Sequence, residues 1–477
     1  MENKREGFAS NFGFIMAAVG SAVGLGNIWG FPYKMGKNGG FSFLLIYLIL
    51  ALFVGLAVMV GELALGRKTG LSPVAAYRKM GKKYKWIGYM AVAVPFLVLC
   101  FYFVLGGMVM RYALGYLTAM FGWNTWGVTD ISTFFGGFIT NGLSMVVWTA
   151  LFIALNAWIV ANGIGGGIEK FCNIGMPCLF VILIIVIVYV LCQPGAVDGY
   201  KFMFGWNLEP LKAEGGFLTV LKTAAGQMFF SLSLGMGAMI TYGSYLSKQE
   251  KIQKNAVIIV IMDTLVAMMA GMIVMPACYA FGVDTGSGPG LLFASMQIVF
   301  DRMGGFIGNL MGFLFYFLVF IAAISSSMSL LEAITATRID ANVHQGKVPG
   351  RKKTAIIFAI IIFLFCLPTA LDGLGSGVAG GATIPYPAEM LNMEVKGWNC
   401  DWLDFYDMLS EGIMMPLGAL VMSFSIGWLW KMDMVVEECE SSGCKFWGKW
   451  FFKLCYKFIA PIGMVFVLYA QVVGFFG

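Results

Sequence analysis

The chain has 477 residues, 59% of them hydrophobic and 12% charged, with a formal net charge of +6. A water-soluble domain carries about a quarter charged residues, so composition excludes a soluble globular fold and makes lipid the main solvent. The basic residues sit in short loops between apolar runs, so the positive balance is no nucleic-acid signature.

The start, Met1 to Ser10, is charged and lacks an apolar core with a cleavage site, so no removable signal peptide is expected. Apolar stretches then fall near 12–36, 42–66, 87–120, 143–161, 168–192, 217–246, 255–282, 307–338, 354–371, 404–430 and 447–476. Each reaches the roughly 20 residues that cross a bilayer as a helix. Backbone groups in lipid must pair within their own segment. The prediction is an all-α membrane protein of about eleven spans, with 289–303 a short non-spanning helix between two of them.

Loop charge sets the orientation. The 67–86 loop carries Arg67, Lys68, Arg78, Lys79, Lys82, Lys83 and Lys85. The 246–254 loop carries Lys248, Lys251 and Lys254, and the 339–353 loop carries His344, Lys347, Arg351, Lys352 and Lys353. Alternate loops, 121–142 and 283–306, are poor in Lys and Arg. Positive loops stay in the cytoplasm. The N-terminus is therefore expected inside a cell's inner (plasma) membrane, and an odd span count places the C-terminus outside. The 372–403 connection, with Glu389, Glu394 and Asp401, is an expected external loop, and its glycine run at 373–381 predicts mobility.

Cys100, Cys172, Cys178, Cys192, Cys278 and Cys366 lie in or beside apolar runs and read as small buried hydrophobes. Cys439 and Cys444 are close in sequence, but no Cys/His cluster completes a zinc site and His344 is the sole histidine. A Cys192–Cys400 disulfide is conceivable, with nothing further in the sequence to support it.

Two spans carry an interruption. The first reads Val19-Gly20-Ser21-Ala22-Val23-Gly24-Leu25-Gly26-Asn27, and glycine weakens a helix at this density. Carbonyls and amides freed at membrane depth need polar partners, which ions and a zwitterion supply. The same residues also fit close helix packing through small side chains. The run 217–246 holds a second such place, Gln227 followed by Phe230-Ser231-Leu232-Ser233-Leu234-Gly235-Met236-Gly237, half the chain further on. Paired glycine-interrupted spans in corresponding halves point to a transport site between inverted repeats. Asp263 lies alone in an apolar run, which marks a functional residue unless it sits at a wet helix end. Ser325-Ser326-Ser327 offers hard oxygen ligands for a small cation, though such serines also bond back to the preceding turn.

Ala22-Val23-Gly24-Leu25-Gly26-Asn27, Phe31-Pro32-Tyr33 and Asn38-Gly39-Gly40 resemble the first helix of the neurotransmitter:sodium symporters. Phe229-Phe230-Ser231-Leu232-Ser233-Leu234-Gly235 and Tyr242-Gly243-Ser244-Tyr245 resemble its sixth. The resemblance covers nearly the whole chain and is closest to bacterial carriers of hydrophobic amino acids. It implies a 5+5 inverted repeat with discontinuous helices 1 and 6: residues 1–195, residues 196–430, and an additional helix in 431–477. It implies a first sodium at Ala22, Asn27, Ser231 and Asp263, and a second at Gly20, Val23, Ala322, Ser325 and Ser326. A substrate carboxylate would meet Leu25, Gly26 and Tyr102. Its ammonium would face Ala22, Phe230, Ser231 and Ser233. Its side chain would lie among Val98, Tyr102, Phe230, Met236, Ser326 and Leu330.

Monoamine carriers of the family hold an aspartate at the position of Gly24, so Gly24 implies a substrate with its own carboxylate. Met236 implies a wall that repacks around bulky side chains. The family's chloride site maps to Tyr47, Gln227 and Ser231, where Asp263 would supply fixed negative charge, so no chloride requirement is expected. Arg5 and Asp340 match the inner-gate pair, with Ser244 and Tyr245 beneath and Phe8 in place of a tryptophan. Asp407 matches the outer-gate acid, but Gly30 replaces its arginine. Lys34 or a water-filled gate is the substitute. Gly167 and Pro177 flank the start of the fifth helix, where the family unwinds to admit water; an ordinary glycine-rich loop fits the same residues.

The expected function is sodium-coupled import of hydrophobic or aromatic L-amino acids by alternating access. The alternative is a sodium-dependent receptor or channel without stoichiometric coupling. No nucleophile–base pair or phosphate loop appears, so an enzyme is not expected.

Overall fold

The computed structural model describes residues 7–123, 128, 130, 133–213, 216–285, 290–348, 350–375, 378–379 and 382–476. Among them, nine helices are long and apolar enough to cross a membrane: Phe41–Thr69, Lys82–Met120, Gly142–Ala161, Ile164–Leu191, Ile252–Phe281, Gly305–His344, Arg351–Leu371, Trp402–Leu429 and Lys449–Phe476. A tenth span is a bent pair, Asn11–Ala22 and Gly26–Lys37, whose halves meet at 50°. Gly216–Ser231 and Ala238–Gly243 straddle a second interruption and fill the remaining predicted span. The segments are numbered below in chain order, first to eleventh. Leu291–Ser295 and Met296–Met303 form the short helix expected between the seventh and eighth.

The breaks arise from local chemistry. Asn11–Ala22 starts on Ser10, whose Oγ accepts from Gly13 N at 2.9 Å, and stops where Val23 turns extended. The sixth span stops at Ser231 and then takes left-handed turns at Ser233, Gly235 and Gly237. Two glycines adopt that conformation freely, whereas Ser233 carries the strain a side chain adds there. The amide of Gly235, freed by the break, donates to Glu62 Oε1 at 2.8 Å. Glu62 is itself buried in the second span, which is how an unwound backbone survives at membrane depth.

The third and eighth spans pack along each other; the eighth also packs on Asn11–Ala22 and Ala238–Gly243, and the seventh on both halves of the first span. A two-residue hairpin, Val378–Ala379 with Ala382–Thr383, lies in the 372–403 connection. Part of the 373–381 glycine run lies outside the described residues, as does Arg5. All ten cysteines are free, so the Cys192–Cys400 disulfide does not form. The fifth span is wound through the predicted opening: Ile164–Glu169 forms a π-helical turn that continues into Lys170–Leu191 across Pro177.

Candidate sodium and substrate site

Asn27 is the hub of one polar cluster between the first, sixth and seventh spans. Its Nδ2 donates to Ser231 Oγ at 2.8 Å and to Asp263 Oδ1 at 2.7 Å, while its Oδ1 accepts from Gly24 N at 2.9 Å. Ser231 Oγ donates to Asp263 Oδ2 at 2.8 Å, and Tyr47 OH approaches the same oxygen at 3.4 Å. Asn27 and Asp263 are fully buried. A buried carboxylate needs compensating positive charge or strong donors. The donors here are neutral. Three of the four residues expected at the first sodium thus meet, and the fourth, Ala22, ends the first half-helix, where free carbonyls collect.

The second expected set converges completely. Ser326 Oγ lies 3.3 Å from Gly20 O, 3.1 Å from Ser21 O and 3.0 Å from Val23 O. Ser325 Oγ lies 3.1 Å from Ala322 O and 3.5 Å from Val23 O. Carbonyls and hydroxyls at this density form a hard-oxygen cradle that suits a small cation. The eighth-span serines do bond back to their own turn, yet they also reach across to the broken first span.

Between the two clusters, Leu25 N donates to Tyr102 OH at 2.9 Å, and Ser233 Oγ donates to Ser21 O at 2.8 Å. Val98, Met236 and Leu330 are buried in the core around them. The rings of Tyr102 and Phe230 stand 6.3 Å apart. A Cβ on Gly24 would lie 2.4 Å from Ser326 Oγ and 2.6 Å from Tyr102 OH. A Cβ on Gly26 would lie 2.5 Å from Phe230 Cδ1. Both glycines therefore permit a close approach that any side chain would block.

Phe230 also lines a cavity of about 490 Å³ shared with Trp29, Gly30, Lys34, Asp404, Asp407 and Glu411. Here Lys34 Nζ pairs with Glu411 rather than with Asp407. Asp407 lines the same cavity as Glu411, one turn before it in the tenth span. The space beside Gly30 is taken by Gln227, whose Oε1 would lie 2.9 Å from a Cβ there. Gln227 Nε2 donates to Gly26 O at 2.8 Å.

At the opposite end, Tyr245 OH donates to Glu332 Oε1 at 2.5 Å, and Arg351 grips Glu332 through Nη1 at 2.6 Å and Nη2 at 3.1 Å. Asp340 Oδ2 accepts from Ser72 N at 2.6 Å. Phe8 packs edge-on against Phe14, Tyr242 and Tyr245. Ala9 N and Ser10 Oγ donate to Glu169 at 2.8 and 3.3 Å, so the segment before the first span is strapped to the fifth. Glu62, Glu169, Glu332 and Glu411 were not among the expected site residues. All four are acids in or beside apolar runs, the same signal that singled out Asp263.

Residues 5–134 and 137–378 match the model of the sodium:neurotransmitter symporter family. The chain is 34% identical to the Bacillus subtilis sodium-dependent transporter YhdH, over 98% of this chain and 97% of that one. A sodium-dependent transporter of Haemophilus influenzae is 30% identical over 96% of each. The crystal structure of MhsT in complex with L-phenylalanine superposes with a TM-score of 0.84 at 37% identity, over 98% of this chain and 100% of that one. The two broken spans thus belong to an established membrane-transport architecture, and the chain is a sodium-dependent symporter of the sodium:neurotransmitter symporter family.

Proposed function

We propose that this chain imports hydrophobic or aromatic L-amino acids with sodium and without chloride, by alternating access. In this reading residues 1–195 and 196–430 are the inverted repeats, and 431–477 adds the last span. Sodium occupies the Asn27–Ser231–Asp263 cluster, completed by Ala22 and the substrate carboxylate. A second sodium occupies the cradle of Gly20, Val23, Ala322, Ser325 and Ser326. The carboxylate takes the amides of Leu25 and Gly26 and the hydroxyl of Tyr102.

The observation that carries the chloride-free reading is the contact of Asp263 Oδ2 with both Ser231 Oγ and Tyr47 OH. These are two of the hydroxyls a chloride would need. A second anion beside a buried carboxylate is strongly repelled in low dielectric. Support for the substrate class comes from Gly24, which leaves no space for a resident carboxylate between Ser326 and Tyr102, and from MhsT, whose crystal structure holds L-phenylalanine. Met236 gives the apolar wall adaptability.

Competition tests the substrate class. In proteoliposomes, excess L-leucine should suppress sodium-driven uptake of L-tryptophan through the shared pocket. Unchanged tryptophan uptake would remove the single-pocket reading.

A further inference from the structure

The basic loops of the third, eighth and ninth spans enclose a cleft of about 580 Å³ apart from the sodium and substrate clusters, sharing only Asp340 with the groups described above. Its floor is apolar, with Val92, Ile334 and Phe358 facing inward. Its rim carries Arg78 at the end of helix Pro73–Met80, Lys85 at the foot of the third span, and Arg338 and His344 on the last turns of the eighth. Asp340 is the one acid on the lining, and Ser72 N already occupies one of its oxygens at 2.6 Å. Among the described residues, Arg78, Arg338 and His344 form no side-chain hydrogen bond or ion pair. Arg78 and Arg338, two fixed cations at one mouth, repel each other unless an anion joins them. Lys85 Nζ sits 5.0 Å over the ring of Tyr89, and Tyr89 is 55% exposed, as an aromatic residue at a membrane–water boundary is.

We propose that this cleft binds an anionic phospholipid, with the headgroup phosphodiester between Arg78 and Arg338 and an acyl chain over Val92, Ile334 and Phe358. The planar guanidinium fork matches two phosphate oxygens at once. Basic pockets between membrane helices on the cytoplasmic side are a recurrent mode of headgroup capture. The apolar floor favours a lipid over a free anion, because a soluble phosphate gains nothing from Phe358. The assignment rests on this basic end facing the inner leaflet. It is independent of which amino acid the protein carries.

Native mass spectrometry of the full chain, titrated with phosphatidylglycerol and with phosphatidylcholine of the same chains, tests it. The wild type should retain phosphatidylglycerol preferentially. Arg78→Gln with Arg338→Gln should weaken that binding ~30-fold, each surface cation contributing roughly fivefold toward an anionic headgroup, and should leave phosphatidylcholine unaffected. Lys82→Gln with Lys352→Gln, on the same basic side but off the cleft, should change little. Should the double variant fail to fold, Arg78→Gln alone should give roughly a fivefold loss. Equal loss in the two pairs, no headgroup preference in the wild type, or displacement of the lipid by millimolar inorganic phosphate would each overturn the assignment. Sodium-driven uptake measured on the same variants separates failure here from failure of the transport reading.

Discussion

Asn27 donates its side-chain amide to Asp263 Oδ1 at 2.7 Å across two different spans, with both residues fully buried. That bond ties the broken first span to the sole acid of the apolar seventh. It also sets the charge with which a sodium ion would be paired.

Asp263→Asn keeps the shape and removes the charge. Uptake should fall to background or become dependent on added chloride, as measured by sodium-driven uptake with chloride replaced by gluconate. Wild-type activity in gluconate from the Asn variant would show that Asp263 is not the fixed counter-charge.

Gly24→Ala pushes a methyl against Ser326 Oγ and Tyr102 OH. Overpacking a tight core costs about 1–3 kcal/mol, so substrate affinity should drop by roughly ten- to a hundredfold. Equilibrium binding of labelled amino acid measures this. Unchanged affinity would place the substrate elsewhere.

In the cavity beside Gly30, Lys34 pairs with Glu411 and not with Asp407. Glu411→Gln leaves Lys34 without its ion-pair partner, whereas Asp407→Asn keeps the Lys34–Glu411 pair. Breaking a largely buried pair costs up to about 3–5 kcal/mol. Glu411→Gln should therefore impair transport more than Asp407→Asn does. The reverse order in uptake rates would restore Asp407 as the gate acid.

Glu332 is buried and bonded by both Tyr245 and Arg351. Glu332→Ala removes the carboxylate that Arg351 grips through Nη1 and Nη2 and should open the end of the bundle around Tyr245. Labelling of a cysteine placed near Tyr245 should accelerate by at least about tenfold, while Tyr245→Phe, which keeps the ion pair, should give a smaller change. Matching rates in the two variants would argue that the hydroxyl alone seals this end.

Asp372 follows the ninth span and pins the 372–403 connection, accepting from Leu374 N at 3.0 Å and Trp402 N at 2.7 Å. Burial pushes its carboxyl up to about 7, although these amides pull the other way. A carboxyl held protonated in the fold but ionised in the open chain contributes most below about pH 4. Its contribution then declines as pH rises toward 7, by at most about tenfold in the opening equilibrium per pH unit. Hydrogen exchange across 372–402 should therefore quicken from pH 4 to pH 7, after correction for intrinsic rates, and Asp372→Asn should flatten the trend.

The span pattern was readable because lipid forces long apolar runs, and the breaks because glycine and asparagine stand out inside them. The oxygen cradle around Ser325 and Ser326 was reached through family resemblance, since serine spacing alone leaves back-bonding equally open. Partners that join distant spans were harder. Nothing in the spacing of Lys34 and Glu411, 377 residues apart, announces their ion pair. Glu332 and Glu169 were hidden for the same reason, although an acid in an apolar run was already a signal. The fifth span is wound at Gly167 and Pro177 in this conformation, because glycine and proline weaken a helix without dictating when it opens.

The central claim is coupled import at the paired breaks, and accumulation in proteoliposomes tests it most directly. With an inward sodium gradient and gluconate in place of chloride, L-leucine or L-phenylalanine should concentrate above its external level and leak out when the gradient is collapsed. Uptake that only equilibrates, whatever the sodium gradient, would contradict symport and favour a channel or receptor.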